Sequence, residues 1–386
     1  MNWSGLKRLL GAMLLEPACL PGSCEIGQKK LFNINFQKEE KLVTTKTDTL
    51  NLLISTYIEP DYIDKIRQVD PRLNVIYEQS LLPKPRYEGD HLGYPLIRTP
   101  EDEERWLDLL ASADIMLDFD KTHRNDMPEL ARRVRWIQST STGIGQFIHD
   151  LEYDKRMPET VFTVAGVHGR PLAEFTVMAV LMHYKLVGLM IKQKKEKCFD
   201  RFAGTDVEGR TMGILGLGRN GTAVAEMAKA IGMRILGMNL SSKPEVVDQY
   251  FKREELDKML TQTEVLVVAL PGTPLTKHMI GARELAWLKK GAYLVNISRG
   301  SVVDETAMIA ALQSGQLSGA ALDVFQQEPL PKESPFWDMP NVLISPHAAS
   351  ISDRENGRII DLFCDNLRRY LDDKPLHNVL NTELLY

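Results

Sequence analysis

The 386-residue sequence lacks the features that mark several broad classes of protein. Its longest apolar segment, Val177 to Met190, is interrupted by polar and charged residues at 183–185, whereas a membrane-spanning helix needs about 20 predominantly apolar residues. Its formal charge is only -5, so no excess of Lys and Arg is available to bind a phosphate backbone. We therefore expect neither a membrane-spanning protein nor a nucleic-acid partner.

Cysteine is scarce, and its spacing is uninformative. The four cysteines, Cys19, Cys24, Cys198 and Cys364, include no C-x-x-C pair. This pattern favours neither a zinc site nor a disulfide framework, and it is typical of a protein in a reducing compartment. We expect a cytoplasmic protein that needs no metal.

The first 48 residues differ in character from the rest of the chain. Lys7 and Arg8 precede a short apolar run from Leu9 to Leu15, which Glu16 ends. The run is at the lower length limit for the core of a signal peptide, and the segment is not rich in Arg. We expect residues 1–48 to be a disordered leader, with a targeting sequence as the alternative.

From Leu50 onward, apolar runs typical of strands alternate with helical spacing. Such an alternation indicates an α/β fold with parallel sheets. We expect two doubly wound, Rossmann-like domains: a discontinuous substrate domain, 49–151 with 348–386, and a dinucleotide-binding domain, 152–347. A single long helix is predicted from Pro171 to about Ile191, and a last helix, Ser352 to Leu371, is expected to return to the first domain. The predicted strands are Leu52–Ser55, Asn74–Tyr77, Ile115–Leu117, Arg135–Gln138, Thr211–Leu215, Arg234–Met238, Val265–Leu270, Tyr293–Ile297, Ala320–Val324 and Val342–Ser345.

A glycine motif lies at the start of the second predicted domain. Gly216, Gly218 and Gly221 form G-x-G-x-x-G directly after a predicted strand and before a predicted helix. The first glycine permits a tight turn, the second lets the backbone approach a pyrophosphate, and the third lets the helix pack near the strand. We predict a dinucleotide site here, with Arg219 and Asn220 at the helix N-terminus facing the anion.

The residues after the next strand bear on the choice of dinucleotide. An NAD-specific site usually places Asp or Glu there, to bind the ribose hydroxyls and repel a 2′-phosphate. This chain has Asn239, Ser241, Ser242 and Lys243 instead. We therefore expect NADP(H) to be favoured, with NAD(H) possible.

Three polar residues follow predicted strands at their carboxyl ends, where doubly wound sheets bind ligands. They are Arg299, Glu328 and His347. Taken singly, each has an ordinary structural explanation, in a surface loop, a turn or a cap. Together they supply what reduction of a carbonyl needs: a clamp for a carboxylate, a proton donor and a group that keeps the donor charged.

The chain resembles the D-isomer-specific 2-hydroxyacid dehydrogenases from about Leu50 to its C-terminus. The resemblance implies that Arg299, Glu328 and His347 are catalytic, and that Asp323 contacts the nicotinamide. It also implies a substrate loop at Thr142, Gly143 and Ile144. Further cofactor contacts are expected at Leu270, Pro271, Thr276, Ile297 and Ser298. The matching stretches are Gly213 to Gly221, Leu270 to Thr276, Val295 to Gly300, Leu322 to Pro329 and Ser345 to Ala348.

The activity that this resemblance implies is reduction of a 2-oxo acid to a D-2-hydroxy acid. Arg299 and backbone N–H groups of the substrate loop would bind the carboxylate, and His347, kept charged by Glu328, would donate the proton. The alternative is a corepressor-like protein that uses the same scaffold to sense the cofactor. By family analogy we also expect a homodimer joined through the cofactor domain.

Overall fold

The computed structural model describes residues 49–239 and 245–386. The predicted leader at 1–48 lies outside the described residues, as do the predicted cofactor contacts Ser241, Ser242 and Lys243. The described ranges cover the sequence positions at which all the strands and both long helices were predicted.

The first half of the described chain forms one parallel sheet with its helices. Its strands are β1 (Leu50–Ile54), β2 (Leu73–Ile76), β3 (Ile115–Leu117), β4 (Trp136–Gln138) and β5 (Val161–Thr163). They lie in the order β2-β1-β3-β4-β5, and every neighbouring pair is parallel. Its helices are α1 (Pro60–Arg67), α2 (Pro100–Ser112), α3 (Met127–Leu130), α4 (Gly145–Asp150) and α5 (Tyr153–Arg156).

Strand β5 was not among the predicted strands, and it falls within 152–347, the range predicted for the second domain. It nevertheless pairs with β4. Only three residues long, it ends in the polar Thr163, whose hydroxyl accepts a hydrogen bond from Trp136 Nε1 at 2.8 Å. Its two apolar residues, Val161 and Phe162, are a weak signal, and only the pairing with β4 assigns them to the first sheet.

The second sheet has seven strands. They are β6 (Thr211–Leu215), β7 (Arg234–Met238), β8 (Gln249–Phe251), β9 (Val265–Val268), β10 (Ala292–Asn296), β11 (Leu317–Leu322) and β12 (Val342–Ile344). Their order is β12-β11-β10-β9-β6-β7-β8, again all parallel. The helices of this half are α6 (Gly169–Tyr184), α7 (Val187–Glu196), α8 (Arg219–Ala230), α9 (Leu256–Leu260), α10 (Ala282–Trp287) and α11 (Glu305–Gln313). The edge strand β8 was not predicted.

Both sheets are apolar on both faces, which explains why their strands read as unbroken apolar runs. One cluster on the second sheet contains Leu215, Leu266 and Leu294, and a separate cluster contains Ile214 and Val267. Alternate residues of one strand thus enter opposite clusters, as strand geometry requires. The predicted class, two doubly wound parallel-sheet domains, is confirmed.

The prediction of one helix from Pro171 to about Ile191 was wrong. The segment consists of α6 and α7, which meet at an angle of 60°. Leu186, between them, has the left-handed φ of 59°, which ends the hydrogen-bond ladder of α6. Neither helix alone is long and apolar enough to cross a membrane, nor is any other in the described ranges, although the bent pair together meets a test of length and composition.

The last helix, α12 (Glu355–Leu371), packs on the first sheet. The residues Ile359, Phe363 and Leu367 lie on one helical face and are buried. They contact the core cluster that contains Leu52 and Trp136. The chain therefore returns to its first sheet after completing the second.

Candidate active site

The order of the second sheet brings three predicted residues to one edge. Strands β10, β11 and β12 are parallel neighbours, so their carboxyl ends lie side by side. Arg299 follows β10, Glu328 lies in the loop after β11, and His347 follows β12.

His347 and Glu328 form a hydrogen-bonded pair. Nδ1 of His347 lies 2.7 Å from Oε2 of Glu328, and the N–H of Phe325 donates to Oε1 of the same carboxylate at 2.9 Å. Burial alone would raise the pKa of Glu328, but these two hydrogen bonds and the nearby charge of Arg299 hold its pKa below the ordinary value. An ionised carboxylate on one ring nitrogen favours the protonated imidazole and leaves the other nitrogen as a donor.

Asp323 organises the turn that carries His347. Its Oδ1 accepts hydrogen bonds from Ser345 Oγ at 2.6 Å and from the N–H groups of Ala348 and Ala349 at 2.9 Å each. Its carbonyl oxygen accepts the N–H of His347, whose φ is 55°. Asp323, predicted as a nicotinamide contact, therefore also fixes the backbone of His347. Its hydrogen bonds stabilise the left-handed conformation of His347, which is unfavourable for a residue other than glycine.

Arg299 reaches from the second sheet to the first. Its Nη1 donates to the carbonyl of Ser298 at 2.7 Å, and its Nη2 donates to the carbonyl of Gly143, after β4, at 3.1 Å. Burial lowers the pKa of Arg299, while Glu328 and Asp323 oppose that shift. The guanidinium thus lies where the carboxyl ends of both sheets meet, with carboxylates close by.

Asn296 fixes the loop before Arg299. Its buried Oδ1 accepts hydrogen bonds from the N–H and the hydroxyl of Ser298, at 3.1 and 2.8 Å, and its Nδ2 donates to the carbonyl of Arg299 at 3.3 Å. Sequence reasoning missed this role, although the residue lies inside the stretch that matched the family. A polar residue ending an apolar strand was the available signal.

The predicted substrate loop is held by buried side chains. Thr142 Oγ1 accepts the N–H of Gly166 at 3.0 Å and lies 2.8 Å from His168 Nδ1, while His168 Nε2 lies 3.0 Å from Glu355 Oε1. His168 and Glu355 are 8% and 5% exposed, and sequence reasoning identified neither. Their separation of 187 residues leaves no sequence signal for this contact. Ile144, predicted to contact substrate, has its side chain in the core of the first sheet, so only its backbone is available for that role.

The glycine motif has the geometry of a phosphate-binding turn. Gly216 has a φ of 93°, and a Cβ there would lie 2.7 Å from the carbonyl oxygen of Ala269. A Cβ at Gly221 would lie 1.9 Å from the carbonyl oxygen of Gly216, whereas a Cβ at Gly218 would meet nothing within 4 Å. The open space beside Gly218, at the N-terminus of α8, fits the approach of a pyrophosphate.

The other predicted cofactor contacts lie around this turn. Asn220 is half-buried in the first turn of α8. The guanidinium of Arg219 donates to Asn378 Oδ1, after α12, and to the carbonyl of Gly166, after β5, at 3.5 Å. Asn239 directly follows β7, and its carbonyl accepts the hydroxyl of Tyr250 at 2.8 Å.

A second group of predicted contacts lies after β9 and β10. Thr276 Oγ1 donates to the carbonyl of Pro271 at 2.7 Å and accepts the N–H of Thr273 at 2.9 Å, so this side chain closes the loop after β9. Leu270 and Ile297 are buried at the strand ends.

No group of three or more His, Cys, Asp or Glu side chains is arranged to hold a metal ion in the described ranges, 49–239 and 245–386. The predicted catalytic side chains that the structure brings together are those of Arg299, Glu328 and His347.

Comparison with known proteins identifies the family. Residues 177–349 match the family domain described as "D-isomer specific 2-hydroxyacid dehydrogenase, NAD binding domain". A glyoxylate reductase of Aeropyrum pernix is 33% identical over 67% of this chain and 80% of its own length. Glyoxylate/hydroxypyruvate reductase B of Yersinia pestis is 33% identical over 74% of this chain and 90% of its own length.

A solved structure agrees with these relatives. The D-isomer specific 2-hydroxyacid dehydrogenase of Xanthobacter autotrophicus Py2, in complex with NADPH and MES, superposes with a TM-score of 0.71 at 26% identity, over 88% of this chain and all of that one. The chain therefore belongs to the D-isomer specific 2-hydroxyacid dehydrogenases, a family of NAD(P)-dependent enzymes.

Proposed function

We propose that this enzyme reduces a small 2-oxo acid to the D-2-hydroxy acid, with His347 as proton donor. The observation that carries the proposal is the 2.7 Å contact between His347 and Glu328, at the same sheet edge as Arg299. The relatives from Aeropyrum pernix and Yersinia pestis are named for glyoxylate and hydroxypyruvate, which makes these two acids the first substrates to test.

The cofactor we propose is NADPH, with NADH as the less favoured alternative. The open space at Gly218 and the N-terminus of α8 suit a pyrophosphate, and Asn239 stands where a carboxylate would repel a 2′-phosphate. The related Xanthobacter structure contains NADPH, which supports this preference. When bound, the reduced nicotinamide supplies the hydride that reaches C2 of the substrate.

Arg299 would bind and polarise the substrate. Its guanidinium can bridge the carboxylate and the carbonyl oxygen, because its planar fork presents several donors in fixed directions. Gly143 lies against it: a Cβ there would be 1.4 Å from Nη2 of Arg299. The loop at 141–144 therefore leaves room for the guanidinium, and its backbone N–H groups remain candidates for the carboxylate.

His347 would protonate the oxygen that becomes the hydroxyl. Glu328 accepts from Nδ1, so the proton to be transferred is on Nε2, and the carboxylate stabilises the imidazolium until transfer. Afterward the neutral ring regains a proton from solvent, to which 45% of its side chain is exposed. Proton donation and substrate binding are thus assigned to different side chains.

The test is His347→Ala, assayed by NADPH oxidation with glyoxylate and hydroxypyruvate. We expect kcat to fall by about 10²–10⁴, the usual contribution of a positioned general acid, while the Kd for NADPH changes by less than about twofold. His377→Ala is a matched control, because His377 Nε2 pairs with Asp365 at 2.9 Å and its side chain is 43% exposed. Wild-type turnover in His347→Ala would contradict the assigned role.

The same assay separates the enzyme from a cofactor-sensing binding protein. An enzyme oxidises NADPH in the presence of a 2-oxo acid, whereas a corepressor-like protein binds NADPH without turnover. A panel that adds pyruvate and aryl or branched 2-oxo acids would distinguish a reductase for larger substrates, since pocket contacts discriminate by about 1–3 kcal/mol per methylene.

We further propose that two copies associate through the surface of α6 and α7. This surface carries several large apolar side chains that are exposed in the single chain, and such a patch is typical of an interface. Sedimentation velocity on the full chain should give twice the monomer mass, and a monomer at micromolar concentration would contradict the proposal. The exposed residues are Met178 on α6, Leu186 between the helices, Met190 and Ile191 on α7, and Phe199 and Phe202 in the segment that follows α7.

A further inference from the structure

A second carboxylate is bonded to the loop that carries Glu328. Glu305 is the first residue of α11, directly after the N-cap Asp304. Its Oε1 accepts the backbone N–H of Gln326 at 2.6 Å. Gln326 lies between Phe325, whose N–H donates to Glu328, and Glu328 itself. Two neighbouring N–H groups of this loop are therefore bound by carboxylates: that of Phe325 by Glu328, within the loop, and that of Gln326 by Glu305, on α11.

The loop is also packed against the backbone that follows Arg299. A Cβ at Gly300 would lie 1.9 Å from the carbonyl carbon of Phe325, so the two segments are in direct backbone contact. The side chain of Gln326 adds a bond from Nε2 to the carbonyl of Val303 at 3.3 Å. The segment from Arg299 to the start of α11 at Glu305 thus contacts the loop that carries Glu328 at three points: Gly300, Val303 and Glu305.

The charge of Glu305 adds to this geometry. Burial raises the pKa of Glu305, opposed by the hydrogen bond from Gln326 and assisted by the nearby carboxylates of Asp304 and Glu328. The pKa of Glu328 is shifted the other way. Carboxylates whose pKa values are separated in this manner take different roles in a site.

The neighbouring groups determine which part of the pH range reports on Glu305. Besides Asp304 and Glu328 themselves, the groups that face this pair are Arg299, His347 and, through the side chain of Gln326, His278. Because the pKa of Glu305 lies above that of Glu328, Glu305 is already neutral when Glu328 titrates. Its charge can therefore act on the site only above the pH at which Glu305 itself ionises.

We propose that Glu305 is a positioning residue for the Glu328–His347 pair. Through Gln326 it fixes the loop so that Glu328 faces His347, and its negative charge strengthens the field that keeps the imidazole protonated. The inference rests on the proposed role of His347 as proton donor.

The experiment compares Glu305→Gln and Glu305→Ala with the wild-type enzyme. Gln keeps an acceptor oxygen for the N–H of Gln326 but removes the charge, whereas Ala removes both. For Glu305→Gln we expect kcat near neutral pH to stay within about threefold, while the alkaline limb of kcat/KM moves to lower pH by roughly 0.3 to 1 unit. For Glu305→Ala we expect the same shift and a fall in kcat of about tenfold, since a misplaced catalytic group costs rate.

The control is Glu101→Gln, an exposed acid in the first turn of α2. It should leave kcat and the pH profile unchanged. The Kd for NADPH should stay within about twofold in all three variants, because none alters the glycine turn. Wild-type kcat and an unshifted profile in Glu305→Ala would overturn the proposal, and so would equal losses in both variants without a pH shift.

A readout without turnover separates this inference from the proposed function. NMR of the His347 ring resonance, assigned by its loss in His347→Ala, reports the pH at which the ring titrates. Both Glu305 variants should move that midpoint to lower pH. An unmoved midpoint would overturn the inference even if the enzyme reduces 2-oxo acids, and absence of turnover in the wild type would refute the proposed function alone.

Discussion

Two loops at the carboxyl ends of parallel strands face this site, and they are held by different means. The glycine turn after β6 is shaped by backbone crowding, since a Cβ at Gly221 would lie 1.9 Å from the carbonyl of Gly216. The loop after β4 is shaped by side chains: Thr142 bonds to His168, and the guanidinium of Arg299 lies against Gly143. The first loop is held by backbone, its own and that of Ala269 after β9, whereas the second depends on side chains from distant parts of the chain.

The difference predicts that a Gly→Ala substitution will impair different properties in the two loops: stability in the glycine turn and catalysis in the substrate loop. A methyl group that meets backbone has to be accommodated by moving the chain, which costs stability. A methyl group that meets the end of a long side chain is accommodated by moving that side chain. In the first case the free energy of unfolding falls. In the second case the displaced side chain, here Arg299, no longer performs its role in the site.

Among substitutions in these two loops, the largest effect is expected for Gly143→Ala. The new Cβ would lie 1.4 Å from Nη2 of Arg299, so the guanidinium must leave its position beside the substrate loop. We expect kcat/KM for glyoxylate to fall by about 100-fold, because misplacing a group by an ångström has that order of effect. The thermal midpoint and the Kd for NADPH should stay close to wild type.

A double variant tests whether this loss passes through Arg299. If it does, adding Gly143→Ala to Arg299→Ala should cost little more than Arg299→Ala alone, because both remove the same interaction. Additive losses would instead assign Gly143 a separate role in the substrate loop.

The same contrast explains what could be predicted from the sequence. Gly216 and Gly221 each meet a steric requirement of the backbone, and Gly218 leaves space for a ligand, so their spacing indicated the turn. His347 and Glu328 were found because each follows an apolar strand run. The relay from Thr142 through His168 to Glu355 could not be found in this way, since its members meet only after the chain has completed the second sheet.

The errors in the predicted fold have a related origin. The segment around Leu186 contains no Pro, and its one glycine, Gly188, lies within α7, yet Leu186 rather than that glycine adopts a left-handed φ between α6 and α7. Strand β5 is only three residues long, and its identity depends on pairing with β4. Where the local pattern is strong the fold was predicted, and where distant contacts decide it was not.

A smaller effect, on stability rather than on catalysis, is expected for Gly221→Ala. Its Cβ would meet the carbonyl oxygen of Gly216, so β6 or the start of α8 has to shift. We expect the free energy of unfolding to fall by about 1–3 kcal/mol, measured by urea denaturation, and NADPH to bind more weakly because the turn is distorted.

Gly218→Ala is the matched control for that measurement. It lies in the same turn, but its Cβ would meet nothing within 4 Å of protein. Its unfolding free energy should therefore stay near wild type, while NADPH, which we expect to approach this backbone, should bind more weakly by about tenfold. Equal destabilisation by both substitutions would mean that the turn is not held by backbone crowding, and unchanged NADPH binding in Gly218→Ala would place the pyrophosphate elsewhere. The two outcomes are independent, so the steric account of the turn and its assignment to the cofactor can fail separately.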